Sequence, residues 1–185
     1  GMTVGSDPFA AQYTLDELQT IVGEAHRLKK KVAGHAHGSR AILDAVKAGF
    51  DTIEHCSWLE DGQVNYPDEA LDLMLAAGTT VCITVGAIDR SSEKAGIWFK
   101  TEQAREAAFK EMRDAGISVI VGSDAGVRNT PISDFYCSLE AYARIMNVTP
   151  TEALITATKG HAQALGIDNL LGTLEPGKLA DVIVV

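Results

Sequence analysis

Apolar runs of strand length alternate along the chain with stretches of helical period. The first helix is predicted from Thr14, where Thr14-Leu15-Asp16-Glu17 has the form of a capping box and Leu15, Leu18, Ile21, Val22, Ala25 and Leu28 mark one apolar face. A strand over residues 32–36 follows. A second helix, Ser39 to Ala48, ends at Gly49 and leads into a strand over 52–55. The same phrase recurs twice: Pro67 to Ala77, Gly78, strand 80–85; then Thr101 to Ala115, Gly116, strand 118–121. Helix, Ala-Gly, apolar strand is therefore an internal repeat. Strands alternating with amphipathic helices imply right-handed βαβ units and a parallel sheet covered by helices, so the fold class is α/β. Two further helices are predicted, 133–146 and 149–165, the second with Thr149 as N-cap and Pro150 at the first helical position. Residues 171–185 read as two short strands around the Pro176-Gly177 turn. Residues 86–100 are too long for a simple turn, and stand equally as a substrate-covering segment or a plain insertion.

The strands share an unusual ending. His35 and His37 close the first, His55 the second, Thr84 lies at the end of the third and Asp124 follows the fourth in Gly-Ser-Asp-Ala-Gly. Sites in parallel sheets and barrels form at the carboxyl ends of strands. Neutral imidazole and carboxylate suit a divalent transition metal such as zinc, and fewer than four protein ligands leave room for an activated water. A carboxylate beside that water can take its proton and return it to a leaving group. Each residue also has a plainer reading: His55 as a hydrogen-bonded strand-end residue, Asp124 as a turn cap, and His37 as a contact either to the metal's ligands or to substrate, since only one of an i, i+2 pair normally reaches the ion. Alternation places Glu54 on the face opposite His55. His26 and His161 read as surface or packing residues.

Composition narrows the partners. The chain has 185 residues, enough for one ordinary domain, and a formal charge of −9. Its only basic run, Lys29-Lys30-Lys31, sits at a predicted helix end, which argues against nucleic acid. No apolar run approaches the ~18 to 20 residues of a membrane span. Cys56, Cys82 and Cys137 are odd in number and lie beside apolar residues, so they read as buried thiols in a reducing, cytoplasmic setting. No Gly-x-Gly-x-x-Gly or phosphate-loop pattern supports nucleotide binding.

His35-Ala36-His37-Gly38, Ile53-Glu54-His55, Gly122-Ser123-Asp124-Ala125-Gly126, Ala157-Thr158-Lys159-Gly160 and the run Gly172 to Asp181 together resemble the C-terminal half of the amidohydrolase superfamily, in its imidazolonepropionase-like and Xaa-Pro or Xaa-Arg dipeptidase branch. The resemblance implies a (β/α)8 barrel whose strands five to eight occupy residues 1–170, with 171–185 returning into a flanking β-sandwich. It implies that His35 and His55 bind the metal, and that Asp124 binds it and acts as general base and acid. His37 and Arg128 are implied or read as substrate contacts, Arg128 standing also as an exposed loop arginine. The implied reaction is hydrolysis of a C–N bond in a small amide, dipeptide or cyclic amide by metal-activated water, with one or two ions, zinc first among them. A strand-one His-x-His pair and a strand-four lysine have no counterpart here. About half a barrel is therefore expected, inactive alone, with an apolar inner face and free edges that pair in a homo-oligomer or with the other half.

Overall fold

The computed structural model describes residue 5 and residues 7–86, 96–127 and 130–183. The repeat read from the sequence forms: α1 (Leu15–Arg27), β1 (Ala33–Gly38), α2 (Ser39–Ala48), β2 (Thr52–Glu60), the short β3 (Gln63–Val64), α3 (Ala70–Ala77) and β4 (Thr80–Thr84). The turn α4 (Gly96–Lys100), α5 (Glu102–Asp114), β5 (Val119–Gly122), α6 (Phe135–Met146), α7 (Pro150–Ile155) and α8 (His161–Leu165) follow. Thr14 and Thr149 each form the capping box with the glutamate three residues on. Gly49 and Gly78 close their helices at φ 91° and 67°, a left-handed conformation that costs other L-residues about 1 kcal/mol or more. The last long helix is interrupted by a π-turn at Thr156–Gly160, which the sequence pattern did not mark.

Strands β1, β2, β4 and β5 lie side by side in chain order and parallel, with β3 antiparallel on the end of β2. One face of this sheet carries Ile53, Val81, Ile83, Val119 and Val121, which form a single core with Val22, Ile42, Val46, Met74, Phe109, Met112, Ile145 and Met146 from the helices. Sequential strand order with most helices massed on one face, and α8 against the other, is the geometry of a barrel wall. A doubly wound sheet would reverse its order and cover both faces.

The opposite face departs from expectation. Register aligns Ala33, Thr52 and Thr80 in one row and His35, Glu54, Cys82 and Ile120 in the next. The inner face is thus mixed polar and small, not apolar. The strands obtain their hydrophobic stabilisation from the helix side, so this face is free to carry chemistry. Its apolar patch is limited to Cys82 and Ile120 beneath Ala164 of α8.

Two other expectations are corrected. Among the described residues of the tail, no strand forms. The Pro176-Gly177 turn is present, with the Lys178 N–H donating to Glu175 O, but Leu174, Leu179, Val182 and Ile183 are exposed. Short strands need a neighbouring sheet to bury their apolar face, and no described strand reaches these residues. On α1, only Val22 of the expected apolar face is fully buried, with Leu15 and Leu18 packed at the margin; Ile21 and Leu28 face solvent. Within the long connection, residues 96–100 form the α4 turn, and 87–95 lie outside the described residues.

Candidate active site at the strand ends

The site begins with an irregularity in β2. Ala36 pairs with His55 and Gly38 with Leu59, so β2 bulges between these pairs. The bulge is made by left-handed backbone at His55, Cys56 and Trp58, with φ of 69°, 46° and 52°. Non-glycine residues in this region store strain, and such outliers concentrate at functional sites. Plain alternation would have sent the His55 side chain away from His35 and toward the helices. The left-handed turn instead brings it onto His35's face. Glu54, expected on the opposite face, shares that face too: register pairs it with His35 and Cys82, and Thr52 donates to it from the same side.

Three imidazoles converge there. His35 Nδ1 and His55 Nε2 share a hydrogen bond at 2.8 Å, and His55 Nδ1 bonds Thr84 Oγ1 at 2.6 Å. His37 stacks on His55 with centroids 4.4 Å apart and 20° between planes, while its Nδ1 bonds Ser57 Oγ at 3.0 Å. Trp98 of α4 packs against His37 with centroids 4.8 Å apart and 60° between planes. His35 is open to solvent on the edge strand, whereas His37 and His55 are 8% and 9% exposed.

Burial dominates the electrostatics. It pushes the His55 pKa down to about 4, with the Asp124 carboxylate opposing and His35 adding to the fall. His37 falls further, to about 3, through burial and the neighbouring His55. Both rings are neutral at physiological pH, the form in which imidazole ligates a metal. The sign for stability follows. Below the ordinary histidine value of 6.5 the unfolded chain takes up protons that the native rings refuse, so stability is complete above about pH 6.5 and falls with acidification toward pH 4 and 3. At roughly 1.4 kcal/mol per unit for each ring, the urea-unfolding free energy is expected to drop by roughly 2 kcal/mol between about pH 7 and pH 5.5. A flat stability across that interval would contradict the neutral, buried pair.

Asp124 follows β5 in left-handed backbone, φ 56°, and is exposed. Its charge reaches His55, yet among the described residues no three His, Cys, Asp or Glu side chains come together as a metal-holding group. The donor chemistry fits a divalent metal in part: two imidazole nitrogens, from His35 and His55 on adjacent strands, already face one another. Of the expected residues, the structure joins His35, His37 and His55 in one cluster and leaves Asp124 at its electrostatic margin. Arg128 lies outside the described residues. The sequence reading missed Ser57 and Trp98, which lie within the bulge and the long connection; both contacts form only once those segments fold. His161 takes the packing reading: its ring is partly buried, and its Nε2 is buried without a hydrogen-bond partner among the described residues.

Sequential parallel strands, helices mainly on one face and a histidine cluster at the strand C-termini define a segment of a (β/α) barrel with its site in the usual place. The chain belongs to the amidohydrolase family, whose sequence profile matches residues 2–185. Family members are in general metal-dependent hydrolases. The chain is 28% identical to an ochratoxinase of Aspergillus niger, over 98% of this chain and 38% of that protein. It is 26% identical to an imidazolonepropionase of Rhizobium rhizogenes, over 93% of this chain and 39% of the other. A solved Xaa-Pro dipeptidase with bound methionine matches with a TM-score of 0.70 at 28% identity, over 91% of this chain and 42% of that one. The chain thus spans about two fifths of the length of the relatives it matches. Among the described residues no helix is long and apolar enough to cross a membrane.

Proposed function

We propose that the protein carrying this chain is a metal-dependent hydrolase of C–N bonds, acting on a small amide, dipeptide or cyclic amide, and that this chain supplies the half of its site built on strands five to eight. The observation that carries the reading is the convergence of His35 Nδ1 and His55 Nε2 at the C-terminal ends of adjacent parallel strands, with both nitrogens 2.8 Å apart. His35 and His55 would hold the ion, with Asp124 turning in from the strand beyond Thr84. A bound divalent metal lowers the pKa of its water and polarises the scissile carbonyl. The chain's own residues do the rest. Thr84 fixes the His55 ring through Nδ1, so that Nε2 faces His35. Asp124, on an exposed turn beside that pair, accepts a proton from the attacking water and returns it to the departing nitrogen. His37, neutral and held by Ser57, presents an imidazole edge to the substrate side of the cluster. The names of the relatives support an amide or cyclic amide substrate, and the tail after residue 170 is assigned to a flanking β-sandwich on the same reading.

A second reading, a catalytically silent half-barrel, is favoured by one observation: no three-ligand group forms among the described residues. Metal content and mass in solution separate the two. Purified without chelator or a histidine tag, the chain is expected to retain about one divalent ion, as a site with open positions does. His55→Ala is expected to weaken that binding at least ~10-fold. A metal-free chain, indifferent to His55, together with a whole protein that hydrolyses no amide, would leave the silent reading standing.

A further inference from the structure

We propose that Trp98 and Arg105 are positioning residues for His37, a role that rests on the hydrolase reading of the strand-end site. The His37 ring is held from two elements, β2 and α4. His55 of β2 stacks on the ring, Ser57 Oγ of the same strand bonds Nδ1, and the Trp98 indole of α4 packs against it, tilted by 60° with centroids 4.8 Å apart. Trp98 sits on a helical turn of only five residues, which has almost no intrinsic stability of its own. Its placement comes from Arg105 in the first part of α5. The guanidinium lies 5.6 Å from the indole centroid, within cation–π range. Its Nη2 donates to Trp98 O at 2.9 Å and its Nε to Thr101 Oγ1 at 3.3 Å, while the Thr101 hydroxyl donates to Ile97 O at 2.8 Å.

The turn is therefore latched onto α5, and α5 is anchored in the core through Phe109 and Met112. Arg105 is itself only 9% exposed, unusual for a guanidinium. A lysine could not do the same work: only the planar fork serves a carbonyl and a hydroxyl while lying over an aromatic ring. Solvent and reagents reach the outer face of His37 when this latch opens, and the latch fixes the ring orientation that a substrate group meets beside His55.

The test is the reactivity of His37 toward diethyl pyrocarbonate near neutral pH, mapped by peptide mass spectrometry and compared with the same histidine in the urea-unfolded chain. In the wild-type chain His37 is expected to react at least ~10-fold more slowly folded than unfolded. Trp98→Ala is expected to remove most of that protection and Trp98→Phe, which keeps an aromatic cover, to retain it. Arg105→Met, and equally Arg105→Lys, is expected to lose protection several-fold without touching His37 directly. A contribution to stability alone would move the melting temperature and leave His37 protected in the folded chain. Wild-type His37 as reactive as in the unfolded chain would overturn the proposal without recourse to any variant. Full protection in folded Arg105→Met would remove Arg105 from it, and full protection in folded Trp98→Ala would remove Trp98. These outcomes are independent of turnover and metal content, which test the hydrolase reading.

Discussion

Asp124→Asn in the whole protein is expected to cut kcat by at least ~100-fold while leaving the fold intact. The separation of chemistry from folding follows from where Asp124 sits. It occupies left-handed backbone at φ 56°, a conformation that asparagine adopts as readily as aspartate, and it is exposed, so the exchange creates no cavity and buries no new polar atom. What asparagine cannot do is accept a proton from water and release it to a leaving nitrogen. The lost carboxylate also ceases to raise the His55 pKa, so that ring becomes more firmly neutral and its ligand capacity is not impaired. Turnover and thermal unfolding measured on the same preparation check the point. Near-normal kcat would remove Asp124 from the role of general base.

The largest effect on stability is expected from Trp58. Its side chain is fully buried within the β2 bulge, with Tyr66 at 5.2 Å between ring centroids. Trp58→Ala is expected to destabilise the chain by about 3–5 kcal/mol through lost burial and the cavity left behind. Trp58→Phe is expected to cost much less. The indole Nε1 is buried without a hydrogen-bond partner among the described residues, so phenylalanine gives up some packing and simultaneously relieves an unsatisfied donor. Urea denaturation of the two variants distinguishes the contributions. Equal losses would mean that a smaller ring recovers none of the packing, and a small loss for Trp58→Ala would mean that the bulge is not held by this side chain.

The helix-glycine-strand repeat was legible because its signals are local. An N-terminal threonine with glutamate three residues on caps a helix, and a glycine at positive φ ends one, wherever they occur. The strand-end histidines were legible for a related reason: an apolar strand that stops at polar side chains delivers them to one edge of a parallel sheet. In the tail the same local logic, a Pro-Gly turn between apolar residues, marks the turn, but the strands around it form only when another strand is within reach. The inner face of the sheet was misread as apolar because hydrophobic runs do not state which side of a strand is covered.

By itself the sequence determined the α/β class, the order of the helices and strands, and the residue types gathered at one end of the sheet, since each of these depends on periodicity and capping within about a dozen residues. Only the tertiary structure decided which of those residues meet. The left-handed backbone at His55 and Cys56 reverses the alternation of β2 and turns His55 toward His35, a change that no period-2 pattern encodes. Trp98 reaches His37, far away in sequence, through the latch that Arg105 makes between α4 and α5. Contacts of that kind depend on the packing of helices against a sheet, and packing exists only after the chain has closed its long-range loops.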